Sequence, residues 1–388
     1  MGQMLRGDRT DGAAPLDRRS FLRTAGIVSA IAPLMGIPGG LLAAPAEAAP
    51  GGLDSTGRAF ASKDPWPATP GYNFAFIADR TGSSVLLPAR SGANDASAFL
   101  GNTVTWTGSA EGNVAEMVAA FDDALDKDVD GIVCAFSGSS AFNALTATAL
   151  AAGTPVIAFN SGARAGTGNN ALAYIGQDHQ GAGAALAQRV LSGRDAPGHV
   201  VGLLSTGASW GEQLRFAGAG AAFRRSGARV DKLIVGAGTT TSPATGASTK
   251  ARDQIFAWWR EHQATKPYFF GTGSATSRAL AGAMKDTAMV AEGARGAGFD
   301  VDVAVLQAVA AGRMDFTLDQ QAYLQGFLPV LALFLYNMTG GLVRPASVDT
   351  GQHPVTSANV GRYLLHSDSW EGTSSRPLVI TPPHRIRP

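Results

Sequence analysis

AGFDVDVAVLQAVAAGRMDFTLDQQAYLQG, residues 297–326, holds two short apolar runs that each end on polar side chains. The first closes on Asp300, and the second, Met314–Leu318, is followed by Gln320 and Gln321. Between them Val301–Val309 carries apolar residues at helical spacing. Strand, helix and strand with short joins make the repeating unit of a parallel sheet, and in open sheets of that kind ligands bind beyond the carboxyl ends of the strands. An acid and an amide at two such ends are either half of a polar pocket or capping groups. Asp300 and Asp302 would serve equally well as the N-cap of the intervening helix.

The same alternation extends in both directions. Apolar strand candidates lie at Tyr72–Ala78, Thr103–Thr107, Gly131–Phe136, Pro155–Phe159, Leu172–Ile175, Val200–Leu204, Lys232–Val235, Tyr268–Phe270 and Gly296–Phe299. Helical spacing falls between them, most plainly where Val114, Met117, Val118, Phe121 and Leu125 recur at i, i+3, i+4 and i+7. Tyr323–Met338, which includes FLPVLALFLY, is apolar all round. It is too short and too Pro-broken to span a bilayer, so it reads as a buried core helix.

A chain of 388 residues with 45% hydrophobic and 16% charged content can bury large cores and is not disordered. With Lys+Arg 31 against Asp+Glu 30, it has no basic block outside the N-terminus, which argues against nucleic acid as a partner. The single cysteine, Cys134, sits inside the apolar run GIVCAF and reads as a core residue; it excludes an intrachain disulfide and a cysteine metal cluster. Six histidines without H-E-x-x-H or H-x-x-E-H spacing indicate no metal, and glycine strings without a full G-x-G-x-x-G or P-loop register indicate neither dinucleotide nor ATP. No cofactor is expected.

At the N-terminus, Arg18-Arg19-Ser20-Phe21-Leu22 precedes a moderately apolar segment, Ala25–Ala44, broken by Pro33 and Pro38, and then Ala46-Glu47-Ala48-Ala49. Paired arginines, an h-region and a small-x-small site form a twin-arginine signal peptide over residues 1–49. No cysteine follows the h-region, so a lipid anchor is not expected, and the mature protein is expected to be exported, soluble and periplasmic or extracellular. Residues 50–70 form a Pro/Gly/Ser-rich lead.

In order along the chain come DGIVCAF, AGTPVIAFNSG, AYIGQD, HVVGLLSTGASWGEQ, GFD and TLDQQ. This series resembles the type I periplasmic sugar-binding proteins, the ribose-binding protein family, over about Tyr72 to Val360. The resemblance implies an α/β fold of two doubly wound parallel-sheet lobes joined by a three-crossing hinge. It divides the chain into an N-terminal lobe (71–177 plus 321–348), a C-terminal lobe (178–320 plus 349–362) and a tail extension (363–388). It also implies a monomer that closes around a small carbohydrate or polyol and presents it to an ABC permease.

Asp300 and Gln320 match family positions that bond sugar hydroxyls, and the chemistry suits them. A carboxylate accepts two adjacent hydroxyls, while an amide both donates and accepts. Asn160 and Ser161 stand where many relatives have an aspartate and an arginine, which implies a hydroxyl pattern different from that of ribose. The first loop, Asp79-Arg80-Thr81-Gly82, lacks the family's aromatic platform; Asp79 could bond ligand or pair with Arg80. Trp210 could restore an apolar face for sugar C–H groups. Gln213 matches a position where some relatives carry a ligand-binding arginine, and Ser209 and Ser274 complete the candidate set.

Two other readings stand beside this one. The closed form could report to a chemoreceptor or sensor kinase instead of a permease. Alternatively, Gly207-Ala208-Ser209-Trp210-Gly211 matches the G-x-S-x-G elbow of serine hydrolases, with Asp300 and His353 downstream in the Ser, Asp, His order. Against the hydrolase, Thr206-Gly207-Ala208 sets the serine too far from its strand for a sharp elbow, and no HGGG-type oxyanion segment is present.

Overall fold

Short, fully apolar runs such as GIVC (Gly131–Cys134), VIAF (Val156–Phe159) and YFFG (Tyr268–Gly271) are buried along their whole length, the pattern of strands covered by helices on both faces. In the computed structural model, which describes residues 71–83, 85–162, 170–193, 195–236, 249–285 and 288–365, they are central strands of two six-stranded sheets. The expected signal peptide, the lead and nearly all of the tail lie outside the described residues.

In the N-terminal lobe, β1 (Asn73–Ala78), β2 (Thr103–Gly108), β3 (Gly131–Cys134), β4 (Val156–Phe159), β5 (Ala173–Gly176) and β11 (Val348–Asp349) are ordered β11-β5-β4-β3-β1-β2, all parallel. Helices α1 (Leu87–Leu100), α2 (Val114–Asp126) and α3 (Asn143–Ala151) follow the first three strands. Asn113 starts α2, accepting from the Ala115 N–H at 2.9 Å, and Met117, Phe121 and Ala124 form its buried stripe. Phe76, Phe121, Phe142, Phe159 and the expected core residue Cys134 fill this lobe.

The second sheet runs β12-β10-β9-β8-β6-β7, from β6 (His199–Ser205), β7 (Arg229–Val235), β8 (Tyr268–Gly271), β9 (Arg295–Phe299), β10 (Phe316–Asp319) and β12 (His353–Thr356). Only β12 is antiparallel. Alternate side chains of its strands feed two cores: Val201, Leu203 and Phe269 pack with Ile255, Leu280 and Leu306, whereas Val200, Phe270 and Phe299 pack with Leu186 and Phe223.

The chain passes between the sheets three times: from β5 into α4 (His179–Leu191), from β10 into α9 (Ala322–Met338), and from β11 into β12. Helix α4 crosses α5 (Trp210–Arg225) at backbone contact distance. A Cβ added at Gly183 would fall 2.0 Å from the Arg215 carbonyl oxygen, and one at Gly218 would fall 2.0 Å from that of Gln180. Two of the glycine strings are therefore helix-packing surfaces. Helix α9 is less enclosed than its all-apolar sequence suggests. Val330, Leu333 and Phe334 are buried, while Leu324, Leu328 and Leu331 stay partly exposed, because the helix lies on the outer face of the sheet beside α1. No helix among the described residues is long and apolar enough to cross a membrane.

Candidate functional site

Asp300 follows the last residue of β9 with φ 71, in the left-handed region that non-glycine residues rarely adopt. That is not the extended backbone from which an N-cap side chain reaches back to its helix. The N-cap of α8 (Val303–Ala310) is Asp302, extended at φ −63 and ψ 141, with Oδ1 accepting from the Ala304 N–H at 2.9 Å and Oδ2 2.9 Å from Arg278 Nη2. Two aspartates two residues apart thus have separate duties. The helix uses Asp302, and Asp300 is turned into the interior, 6% exposed.

There, Gln320 Nε2 donates to Asp300 Oδ1 at 2.6 Å, and Arg215 Nη1 lies 3.9 Å from Oδ2. Burial raises the Asp300 carboxyl above the usual range, opposed by Arg215, by Gln320 and by a hydrogen bond from the Ser274 backbone N–H at the start of α7 (Ser274–Lys285). Ser274 thus reaches this group through its main chain. Arg215 is itself buried: Nε donates to Gln177 Oε1 at 3.0 Å, Nη1 to the Thr272 carbonyl at 3.1 Å, and the guanidinium covers the Phe299 ring at 4.5 Å. Burial lowers its pKa, and Asp300 and Glu212 counter that shift.

Arg215 is the residue that sequence reasoning missed. Gln213, two positions earlier on α5, is exposed and folds back to donate to the Ala208 carbonyl at 3.0 Å, so the guanidinium at this part of the helix comes from Arg215. A signal was present: Gly211, Arg215, Gly218 and Ala222 lie at i, i+4, i+7 and i+11, a stripe of small residues interrupted by one arginine. Ser209 is the N-cap of α5. Its Oγ accepts from the Glu212 N–H at 3.2 Å while Glu212 Oε2 accepts from the Ser209 N–H at 2.9 Å, a complete capping box. The hydrolase reading loses its nucleophile to that box, and its proposed acid, Asp300, is held by an amide and a guanidinium.

On the N-terminal side, Asn160 ends β4 at φ 52, and its carbonyl accepts from Tyr174 Oη at 2.8 Å and from His179 Nε2 at 2.9 Å. His179 opens α4, so this contact spans the lobes. Burial and Arg215 push the imidazole down to about 3; neutral, with its proton on Nε2, it carries a bare Nδ1 that is buried without a partner. Ser161 Oγ is likewise buried with no partner among the described residues. Asp79, at the end of β1, accepts from Ser137 Oγ at 3.0 Å, and burial raises its carboxyl. Trp210 reaches the same rim: its ring lies against Gly138, where φ is 70 and an added Cβ would come 2.9 Å from the indole Cγ. Asp79 and Asn160 thus follow strands of the first sheet, Asp300, Gln320 and Arg215 cluster at the carboxyl end of the second, and Trp210 at the start of α5 reaches across to Gly138. Of the six non-glycine residues with positive φ among the described residues, four, Ser137, Asn160, Asp300 and Gln321, follow the carboxyl ends of strands, and Asp128 and Lys266 lie elsewhere.

The family model for the periplasmic binding protein domain matches residues 74–337. The chain belongs to this family. A xylose/arabinose-binding protein of Sulfolobus acidocaldarius is 30% identical over 321 residues, covering 80% of this chain and 77% of that protein. Among solved structures, a carbohydrate transporter from Acidothermus cellulolyticus in complex with myo-inositol superposes with a TM-score of 0.65 at 25% identity, covering 78% of this chain and all (100%) of that one. A solute-binding protein from Burkholderia graminis in complex with D-arabinose gives 0.65 at 19% identity, covering 76% and 97%. This is a family of binding proteins, not of enzymes, and the periplasmic binding protein fold accounts for both sheets and the three crossings between them.

Proposed function

We propose that this periplasmic binding protein captures a sugar or sugar alcohol between its lobes and delivers it, by hinge closure, to the permease of an ABC importer. The observation that carries the reading is the buried Asp300–Arg215 pair with Gln320. A carboxylate accepts adjacent hydroxyls, a guanidinium and an amide donate to ring or hydroxyl oxygens, and all three are desolvated, where such bonds discriminate most strongly. Asn160 and Asp79 face them, with Trp210 offering an apolar surface for C–H groups. Closure is a population shift that needs contacts from both lobes at once. A monomer suffices for this, and the hinge runs through residues 177–178, 320–321 and 349–351. Export by the twin-arginine route, with cleavage near Ala48 or Ala49, places the mature protein where the permease can receive it.

The names of its relatives make xylose, arabinose and myo-inositol the first probes. A bound sugar at 100 times Kd should stabilise the protein by about 2.7 kcal/mol in a thermal-shift titration. Asp300→Asn should weaken that binding by roughly 10- to 100-fold in calorimetry, as expected for losing a charge-assisted bond in a closed cleft. A panel of pentoses, hexoses, polyols and inositols that leaves the melting curve unmoved would refute the carbohydrate assignment.

A further inference from the structure

The Asp300–Arg215 pair does not end at the cleft. Gln320, bonded to Asp300, belongs to the second crossing between the sheets. Its carbonyl accepts from Thr350 Oγ1 of the third crossing at 2.7 Å, and Gln325 Nε2 sits within 3.0 to 3.2 Å of Thr350 Oγ1, the Gln320 carbonyl and Gln320 Oε1. Gln177, bonded to Arg215, belongs to the first crossing, and its Nε2 donates to the Gly351 carbonyl of the third at 2.8 Å. Thr350 N donates in turn to the Gly176 carbonyl at 3.0 Å. Two side-chain chains therefore leave the two charged groups of the site and meet at Thr350-Gly351. Gln177, Gln325 and Thr350 are buried to 2% exposure or less. In such a place an unmade bond costs the full desolvation of its group.

We propose that Gln177 and Thr350 are positioning residues that couple occupancy of the Asp300–Arg215 pair to the angle of the hinge, an inference that rests on the closure mechanism proposed above. Every hinge crossing contributes one end of a bond in this network. A hydroxyl of the ligand that competes for Asp300 or Arg215 thereby loosens or tightens Gln320 and Gln177, and with them the third crossing. Contiguity alone does not demonstrate coupling; a thermodynamic cycle does.

Spin labels at the exposed positions Asp126→Cys and Arg225→Cys, one on each lobe, report the interlobe distance by pulsed electron resonance without any ligand. Thr350→Val removes the hydroxyl at nearly constant volume, and Gln177→Glu keeps an acceptor for Arg215 while deleting the donor to Gly351. Both should broaden or shift the distance distribution of the sugar-free protein, and Thr350→Ser should restore it. With whichever of xylose, arabinose or myo-inositol binds the wild type, each variant should weaken affinity by about 10-fold. Combined with Asp300→Asn, the effects should depart from additivity by roughly three-fold or more. A purely structural role would lower the melting temperature while leaving the distance distribution unchanged and the cycle additive; that result overturns the proposal. Failure of all three sugars to bind would count against the ligand assignment alone, because the sugar-free distances still decide the coupling.

Discussion

The carboxyl ends of the two sheets, the rims of the proposed cleft, are built differently. On the C-terminal side, Arg215, Asp300 and Gln320 are each at most 6% exposed and hold one another and the crossings between the sheets through side-chain bonds. The N-terminal side relies on main chain instead: the Asn160 carbonyl takes two donors, Gly138 offers a bare Cα to Trp210, and Asp79 is answered by a serine hydroxyl. Charge resides where the sheet, two helices and the hinge converge to hold it. Buried charges need several partners fixed from different elements, whereas a rim made of backbone and small side chains can supply shape with far less support.

Removing the cation tests this difference most severely. Arg215→Met leaves Asp300 buried with only Gln320 and the Ser274 N–H, so urea unfolding at neutral pH should show a loss of about 3 to 5 kcal/mol, and sugar binding should disappear. The sign of its pH dependence is specific. A carboxylate whose folded pKa is raised favours the folded state at low pH and loses that advantage as pH rises, so the deficit of the variant should shrink on acidification. A deficit that grows with acid would contradict the assignment of Arg215 as the partner of Asp300.

The contact that joins the rims is next. His179 must stay neutral to occupy its site, and its folded pKa near 3 lies far below the ordinary value of 6.5. Stability from this group is complete above about pH 6.5 and is lost as pH falls toward 3. At pH 4.5, two units below the ordinary value, the loss should reach about 2 to 3 kcal/mol, at roughly 1.36 kcal/mol per pH unit. His179→Gln, compared with wild type by denaturation at pH 7 and 4.5, should remove most of that slope; an unchanged slope would place the acid sensitivity elsewhere.

A smaller effect should separate the two neighbouring aspartates. Asp302→Ala deletes the cap of α8 and one partner of the buried Arg278, so the sugar-free protein should lose at least the roughly 0.5 to 2 kcal/mol of a cap, with affinity unaltered. Loss of affinity without loss of stability would reverse the roles given to Asp300 and Asp302. The smallest change is expected on the N-terminal rim. Asp79→Asn can still accept from Ser137, so stability and affinity should each move by less than about 1 kcal/mol. A larger fall in calorimetric affinity would show that both rims bind through charge.

Much of the fold was legible in the sequence because it follows from spacings of two to four residues. The expected strands and the helices between them appear, as does, of the two aspartates that could cap the helix after β9, Asp302. Resemblance singled out Asp300 and Gln320, which the structure brings within 2.6 Å. Local pattern did not reveal β11 and β12, only two and four residues long, which exist because a sheet edge is there to receive them.

By itself, then, the sequence determined the layered α/β architecture, the burial of Cys134 and the polar character of the strand ends, since each depends on near neighbours or composition. Only the tertiary structure decided that Asp302 caps while Asp300 turns inward to Gln320, that Arg215 and not Gln213 supplies the cation beside it, and that the crossings between the sheets are tied to both. Those choices depend on backbone angles imposed by sheet pairing and on partners such as Gln177 and Gly351, 174 residues apart. A bond across that distance leaves no periodicity in the chain. It becomes visible only when two sheets bring the three crossings side by side.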